Sequence, residues 1–216
     1  MNLDVKRVFE LSPFSKKTWK VHVIERPSQL TDALLDAFIA GAFEIFNRTS
    51  TDLRQFLKDA VAHNAKIFYV QDKKREVLGM ACVLTEPWEG WAMKDRKSAY
   101  LMNAFVKKKH QGKGIYEQLN TVRIGMLIEE GWPSFRTETQ NPRVELGIRK
   151  VLEDMKKSGV IRDFTLTRTQ SVTRTGRPVT IEKPGSAGVN EIDSEYKKLH
   201  YEQGEMYILL FTITYP

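Results

Sequence analysis

The sequence predicts a mixed α/β fold, a mostly antiparallel central sheet with helices on both faces and an inserted hairpin or loop before the last strand. Apolar residues alternate with polar ones over strand-length runs, and between those runs they recur at steps of three and four, with glycine, proline or charge clusters at the joints. The resulting order is β-α-α-β-β-β-α-β-α-β-β. An antiparallel meander followed by a βαβ unit and a closing pair builds a mixed sheet.

Trp19 to Ile24 alternates with Trp19, Val21 and Val23 on one face, the period of a half-buried strand. Pro27-Ser28 is a candidate start for the first helix, whose stripe is Leu30, Leu34, Ala37/Phe38, Gly41/Ala42 and Ile45. Thr51-Asp52 opens a second helix with Leu53, Phe56/Leu57 and Ala60/Val61 inward. Strands are expected at Lys66–Val70, Val77–Thr85 and Ser98–Val106, the first two joined by the charged turn Gln71–Glu76. Trp88 and Trp91 stand in the polar connection Glu86–Lys97, either lining a substrate or pinning the loop. From Gly112 to about Gly131 the spacing of Ile115, Leu119, Val122 and Met126 is helical, and Ser134–Thr139 reads as a strand. Val144, Ile148, Val151 and Met155 predict a helix over Asn141–Lys157, closed by Gly159. Arg162–Thr169 and Met206–Tyr215 complete the sheet, with a hairpin near Thr175–Pro178 and a short helix over Asp193–Gln203 between them.

The 216 residues suit a single domain with a core of about 19–169 plus 205–215 and an excursion at 170–204. A composition 41% hydrophobic and 28% charged excludes wholesale disorder. The one cysteine, Cys82, lies in the apolar run Val77–Leu84, which suits a small buried hydrophobe and excludes a disulfide scaffold. No run of 18 apolar residues exists and the N-terminus lacks the apolar core of a signal peptide, so the chain reads as cytoplasmic, with no membrane partner. The four histidines are scattered and none stands at ligand spacing from Cys82, so no metal site is expected. A net charge of +7 calls for an anionic partner, whether nucleic acid, a phosphorylated cofactor or an acidic substrate, and also serves solubility.

The chemistry concentrates in Tyr100–Leu119. A strand ends at Val106, the basic run Lys107-Lys108-Lys109-His110 follows, and Gln111-Gly112-Lys113-Gly114-Ile115-Tyr116 opens a helix. The first turn of a helix carries unpaired N–H groups and a partial positive charge, and glycines let a phosphate approach the backbone. Neither Gly-x-x-x-x-Gly-Lys-Ser/Thr nor Gly-x-Gly-x-x-Gly is present.

In this strand and helix order, the window resembles the pyrophosphate loop of the GNAT superfamily of acyl-coenzyme A-dependent N-acyltransferases. The family pattern Gln/Arg-x-x-Gly-x-Gly/Ala falls on Gln111, Gly114 and Tyr116, with the last position a departure. Asn141 begins the next helix as in the family, followed by Val144, Gly147, Ile148 and Lys150 at its later fixed positions. The resemblance implies that acetyl-coenzyme A is the co-substrate and that its pyrophosphate is held by the backbone of Gln111, Gly112, Lys113, Gly114, Ile115 and Tyr116. Lys107, Lys108, Lys109 and Lys113 supply charge there, and Asn141 stands nearby. It further implies that Ala104, Phe105 and Val106 lie where two strands splay, pairing with the pantetheine arm and aiming an amide at the thioester oxygen.

The resemblance also implies an activity: acetyl transfer to a primary amine by direct attack in a ternary complex. The usual strand carboxylate falls at Tyr100, eleven residues before Gln111, and the usual helix tyrosine at Ile148. The acid and base roles then fall to Tyr100, Glu138, Tyr116 or waters, or positioning alone drives the reaction. Two other readings keep the fold: an enzyme that modifies a DNA base, favoured by the basic excursion, and a non-catalytic binding module, favoured by Tyr116. Arg162, Arg168, Arg174, Arg177 and Lys183 leave the excursion's role open among solvated ribbon, homodimer contact, and substrate or nucleic-acid contact.

Overall fold

Seven strands form one sheet in the order β1-β2-β3-β4-β5-β7-β6. The computed structural model describes residues 19–46, 50–86, 98–139, 141–170 and 207–216. In chain order the elements are β1 (Val21–Ile24), α1 (Asp32–Phe46), α2 (Ser50–Ala62), β2 (Lys66–Gln71), β3 (Val77–Leu84), β4 (Ala99–Val106), α3 (Ile115–Glu129), β5 (Ser134–Thr139), α4 (Pro142–Lys157), β6 (Asp163–Gln170) and β7 (Tyr207–Thr214). The expectations for Trp88, Trp91, the Thr175–Pro178 hairpin, the Asp193–Gln203 helix and the excursion beyond Gln170 lie outside the described residues.

The predicted order holds throughout, with one instructive shift. The first α-helix begins after Thr31 rather than at Pro27-Ser28, because Thr31 Oγ1 accepts from the Leu34 amide at 3.3 Å as a helix cap does. Pro27–Gln29 forms a separate 3-10 turn, held by the Gln29 side-chain oxygen accepting from the amides of Glu25 and Arg26.

Alternation along the strands divides the core. Phe68, Val70, Ala81, Val83 and Leu101 face α3 and α4, whereas Ile67, Tyr69, Met80, Cys82 and Tyr100 face α1 and α2. Cys82 is buried, and burial pushes its thiol up to about 12, the inert small hydrophobe its sequence context suggests. Among the described residues no helix is long and apolar enough to cross a membrane.

The feature that shapes the site is the contact between β4 and β5, the one parallel pair of the sheet. Pairing runs from Ala99↔Phe135 to Leu101↔Thr137 and stops, although β4 continues to Val106 and β5 to Thr139. At the same level β4 bulges against β3: Met80 pairs with Phe105 but Cys82 with Met102, leaving an additional β4 residue between them. Asn103 takes a left-handed φ of 44° inside that bulge. A bulge bends its strand and increases its twist, so β4 turns away from β5 where the two separate.

Candidate active site

The slot between β4 and β5 opens onto two helix starts. On the β4 side, residues 107–114 descend into α3, and Gly112 and Gly114 adopt φ of 72° and 75°, a conformation that side chains strain to adopt. Gly114 is the N-cap of α3 and no side chain caps it, so the amides of the first turn face outward with the positive end of the helix dipole. On the β5 side, Asn141 caps α4, its side-chain oxygen accepting from the Arg143 amide at 3.0 Å. That bond commits the Asn141 carbonyl to the helix.

Long-range hydrogen bonds fix the loop. Gln111 Nε2 donates to the Val106 carbonyl at 3.1 Å, tying the loop to the end of β4. Trp19 and the buried Gln118 exchange two bonds, Trp19 N to Oε1 at 2.8 Å and Nε2 to Trp19 O at 2.6 Å. The indole Nε1 then donates to the Lys113 carbonyl at 3.1 Å. Because the carbonyl and the next amide of a trans peptide point in opposite directions, drawing Lys113 O toward Trp19 turns the Gly114 N–H the other way.

The basic run is partly neutralised. Lys107 and Lys109 both reach Glu76, at 3.1 and 2.8 Å, and these ammonium groups hold the Glu76 carboxyl down at about 2. Glu44 accepts from the Lys108 amide at 2.7 Å, and Lys113 Nζ donates to the Lys109 carbonyl at 2.9 Å. Four lysines against two carboxylates leave a local +2 rather than +4. His110 has both ring nitrogens buried without a partner, and burial followed by Lys113 and Lys109 lowers its pKa.

The three candidate acid–base residues are not brought together on one face. Tyr100 is buried on the α1/α2 side, its ring 5.5 Å beneath the Arg136 guanidinium, with which it is in register. Glu138, two residues along from Arg136 on the same face, is exposed where β4 and β5 have parted. Tyr116 lies on the opposite side, its ring against Gly147 of α4; a Cβ on Gly147 would stand 2.8 Å from Tyr116 Cε1. The hydroxyl of Tyr116 is buried without a hydrogen-bond partner, and burial raises its pKa. Ile148 is fully buried in the α3/α4 core, and the backbone of Ala104, Phe105 and Val106 forms the β4 wall beyond the bulge.

Residues overlooked in the sequence also converge here: Trp19, Gln118, Asn120, Arg123 and Arg136. Asn120 and Arg123 are 0% and 1% exposed, in a helix buried on almost every side. Their spacing from Tyr116, i+4 and i+7, places them on one helix face. No group of three or more potential metal ligands occurs among the described residues.

No family model matches the chain, and no curated protein matches it in sequence. Solved structures do match. A GNAT-family acetyltransferase structure from Desulfovibrio desulfuricans aligns over 90% of this chain and 98% of its own at 14% identity and TM-score 0.51. Escherichia coli ElaA aligns over 89% and 98% at 14% identity and TM-score 0.50. The fold is the GNAT fold. An acetyltransferase structure from Acinetobacter baylyi gives 15% identity over 93% and 97%, again with a TM-score of 0.50. The segment Gln111–Tyr116 lies in the loop and first turn of α3 that follow β4.

Proposed function

We propose that the protein is an acyl-coenzyme A-dependent N-acyltransferase that moves an acetyl group to a primary amine by direct attack. The observation that carries this reading is the splay of β4 from β5 at Leu101/Thr137 directly above the uncapped N-terminus of α3, with two left-handed glycines in the connecting loop. These features fit a diphosphate: outward amides, a helix dipole and room for close approach. The backbone of residues 111–116 would hold it, with Lys108 and Lys113 nearby. The loop that includes Asn141 borders the other wall, and the β4 backbone at Ala104–Val106 lines the slot.

Coenzyme A, when bound, supplies an acyl group activated as a thioester. The protein's part is to position and to move protons. Glu138 is exposed on the α1/α2 side and accepts the amine's proton there, while Tyr116 keeps a protonated hydroxyl on the α3/α4 side. Base and hydroxyl donor thus flank the slot from opposite faces. Tyr100, capped by Arg136, shapes the acceptor side.

Calorimetry with acetyl-coenzyme A tests the proposal. Binding by the natural chain and its loss in Gly114→Glu, which places a carboxylate and a Cβ at a left-handed N-cap, are expected. Absence of binding by the natural chain would favour a non-catalytic module.

A further inference from the structure

We infer that Tyr116, Asn120 and Arg123 form a buried anion site at the apex of the splay that takes the thiolate leaving the acyl donor. The inference rests on the acyltransferase reading and adds to it a place for the leaving group.

A guanidinium that is 1% exposed is costly to bury unless an anion compensates it. Arg123 has no anionic partner: among the described residues it donates through Nε to Asn120 Oδ1 at 2.8 Å and through Nη1 to the Cys82 carbonyl at 3.4 Å, and the neutral Tyr116 phenol also lies within its reach. Its neighbours are also unsatisfied. Neither Tyr116 Oη nor Asn120 Nδ2 completes a well-aligned hydrogen bond, although Asn120 and the Arg123 guanidinium both stand close enough to act on the phenol oxygen. A phenol O–H without an acceptor beside a buried cation without an anion marks a place for an anionic acceptor.

Its position fits a leaving sulfur. Cys82 pairs with Met102, the first β4 residue past the last contact with β5, so Arg123 reaches the sheet at the apex of the slot and beside the bulge. In the transfer, the amine nitrogen forms the new C–N bond and the acyl C–S bond breaks with its electron pair going to sulfur. The proton lost by the amine passes to Glu138 and, through solvent, to the thiolate on release, so no net proton is consumed. Arg123 and the Tyr116 hydroxyl hold the sulfur in between. Besides each other, the groups that bear on this pair are Cys82 from β3 and Glu117 from α3, and α4 presents Gly147. Burial pushes Cys82 up to about 12 and raises Tyr116 above its ordinary value, so neither titrates near neutrality.

The test compares coenzyme A with desulfo-coenzyme A by calorimetry from about pH 6.5 to about pH 9.5, spanning the ordinary thiol range. Coenzyme A should tighten by roughly tenfold or more relative to desulfo-coenzyme A across that range, one decade for each unit by which the site depresses the thiol pKa. Any contribution of Glu117 is common to both ligands. Arg123→Met should abolish the tightening, leave desulfo-coenzyme A affinity unchanged and keep or raise the melting temperature, because an uncompensated charge is removed. Arg123→Lys should keep part of the tightening, and Tyr116→Phe, which deletes only the hydroxyl, should reduce it. Parallel profiles for the two ligands in the natural chain would overturn the inference, as would tightening that survives both Arg123→Met and Tyr116→Phe. Failure of the natural chain to bind either ligand would instead remove the acyltransferase reading itself.

Discussion

The indole of Trp19 and the carbonyl of Lys113 are 94 residues apart in sequence and hydrogen-bonded at 3.1 Å. Through that bond the chain just ahead of β1 sets the orientation of a peptide plane in the glycine loop. Trp19→Phe keeps the ring packing and removes the donor. The expected result is a weakening of coenzyme A binding by about 1 kcal/mol, or roughly fivefold, the usual worth of one such bond. Binding of acetyl-pantetheine, which lacks the diphosphate, should not change; calorimetry with both ligands separates a loop effect from general damage.

Glu76 competes with any anion for Lys107 and Lys109. Glu76→Gln should therefore tighten coenzyme A or inorganic pyrophosphate binding by a few-fold at low ionic strength, with the gain shrinking as salt is added. Because the Glu76 carboxyl is held at about 2, below its ordinary 4.5, whatever stability it contributes is complete above the ordinary value and lost as pH falls through about 2. The pairs are solvated, so the stability difference between Glu76→Gln and the natural chain should be small above about pH 5 and should vanish as pH falls through about 2.

Tyr116 and Gly147 are complementary: the ring occupies the space a side chain at 147 would need. Gly147→Ala should cost about 1–3 kcal/mol by overpacking, read as a lowered denaturant midpoint. Tyr116→Phe removes a buried hydroxyl that has no partner and should leave stability level or slightly higher. In the proposed reaction the hydroxyl donates a hydrogen bond to the leaving sulfur, so the same change should lower kcat by about 100-fold once an acceptor is in hand.

Glu145, at 0% exposure, receives Arg168 through both carboxylate oxygens at 2.7 Å and Arg149 at 3.3 Å, locking the start of α4 to β6. Glu145→Ala takes the shared carboxylate from two largely buried guanidinium groups and should destabilise by about 3–5 kcal/mol. The pair Glu145→Leu with Arg168→Met should recover part of that loss in urea titrations, because the buried Arg168 guanidinium is removed together with its carboxylate.

Much of the fold was legible because its signals are local. Val144, Ile148, Val151 and Met155 repeat at helical spacing, and the observed helix Pro142–Lys157 follows them to within a residue of its start. The glycine loop was legible for the same reason, since Gly112 and Gly114 flank Lys113 in sequence as in space. Arg123 was not. In α3 nearly every position is buried, so a polar residue there carries no periodic mark distinguishing it from a solvated one. The Trp19–Gln118 exchange spans 99 residues and is set by the folded sheet alone. The β4 bulge was equally hidden, because Asn103 takes its left-handed φ within a run that reads as an uninterrupted strand.

The strand order also governs when the slot can come into being. Along its length β6 pairs with β7, and β5 takes its second neighbour from β7, so the β5 side of the slot stays incomplete until Tyr207–Thr214 has been synthesised. β2 through β4 form a meander of near-neighbour pairings that can assemble early, with β1 joining β2 across two helices, whereas β7 must insert between two strands already made. A nascent chain stopped before residue 207 would carry the loop and α3 but expose β5 along one edge. Acquisition of ligand binding should therefore trail the formation of most secondary structure and coincide with the docking of this final strand.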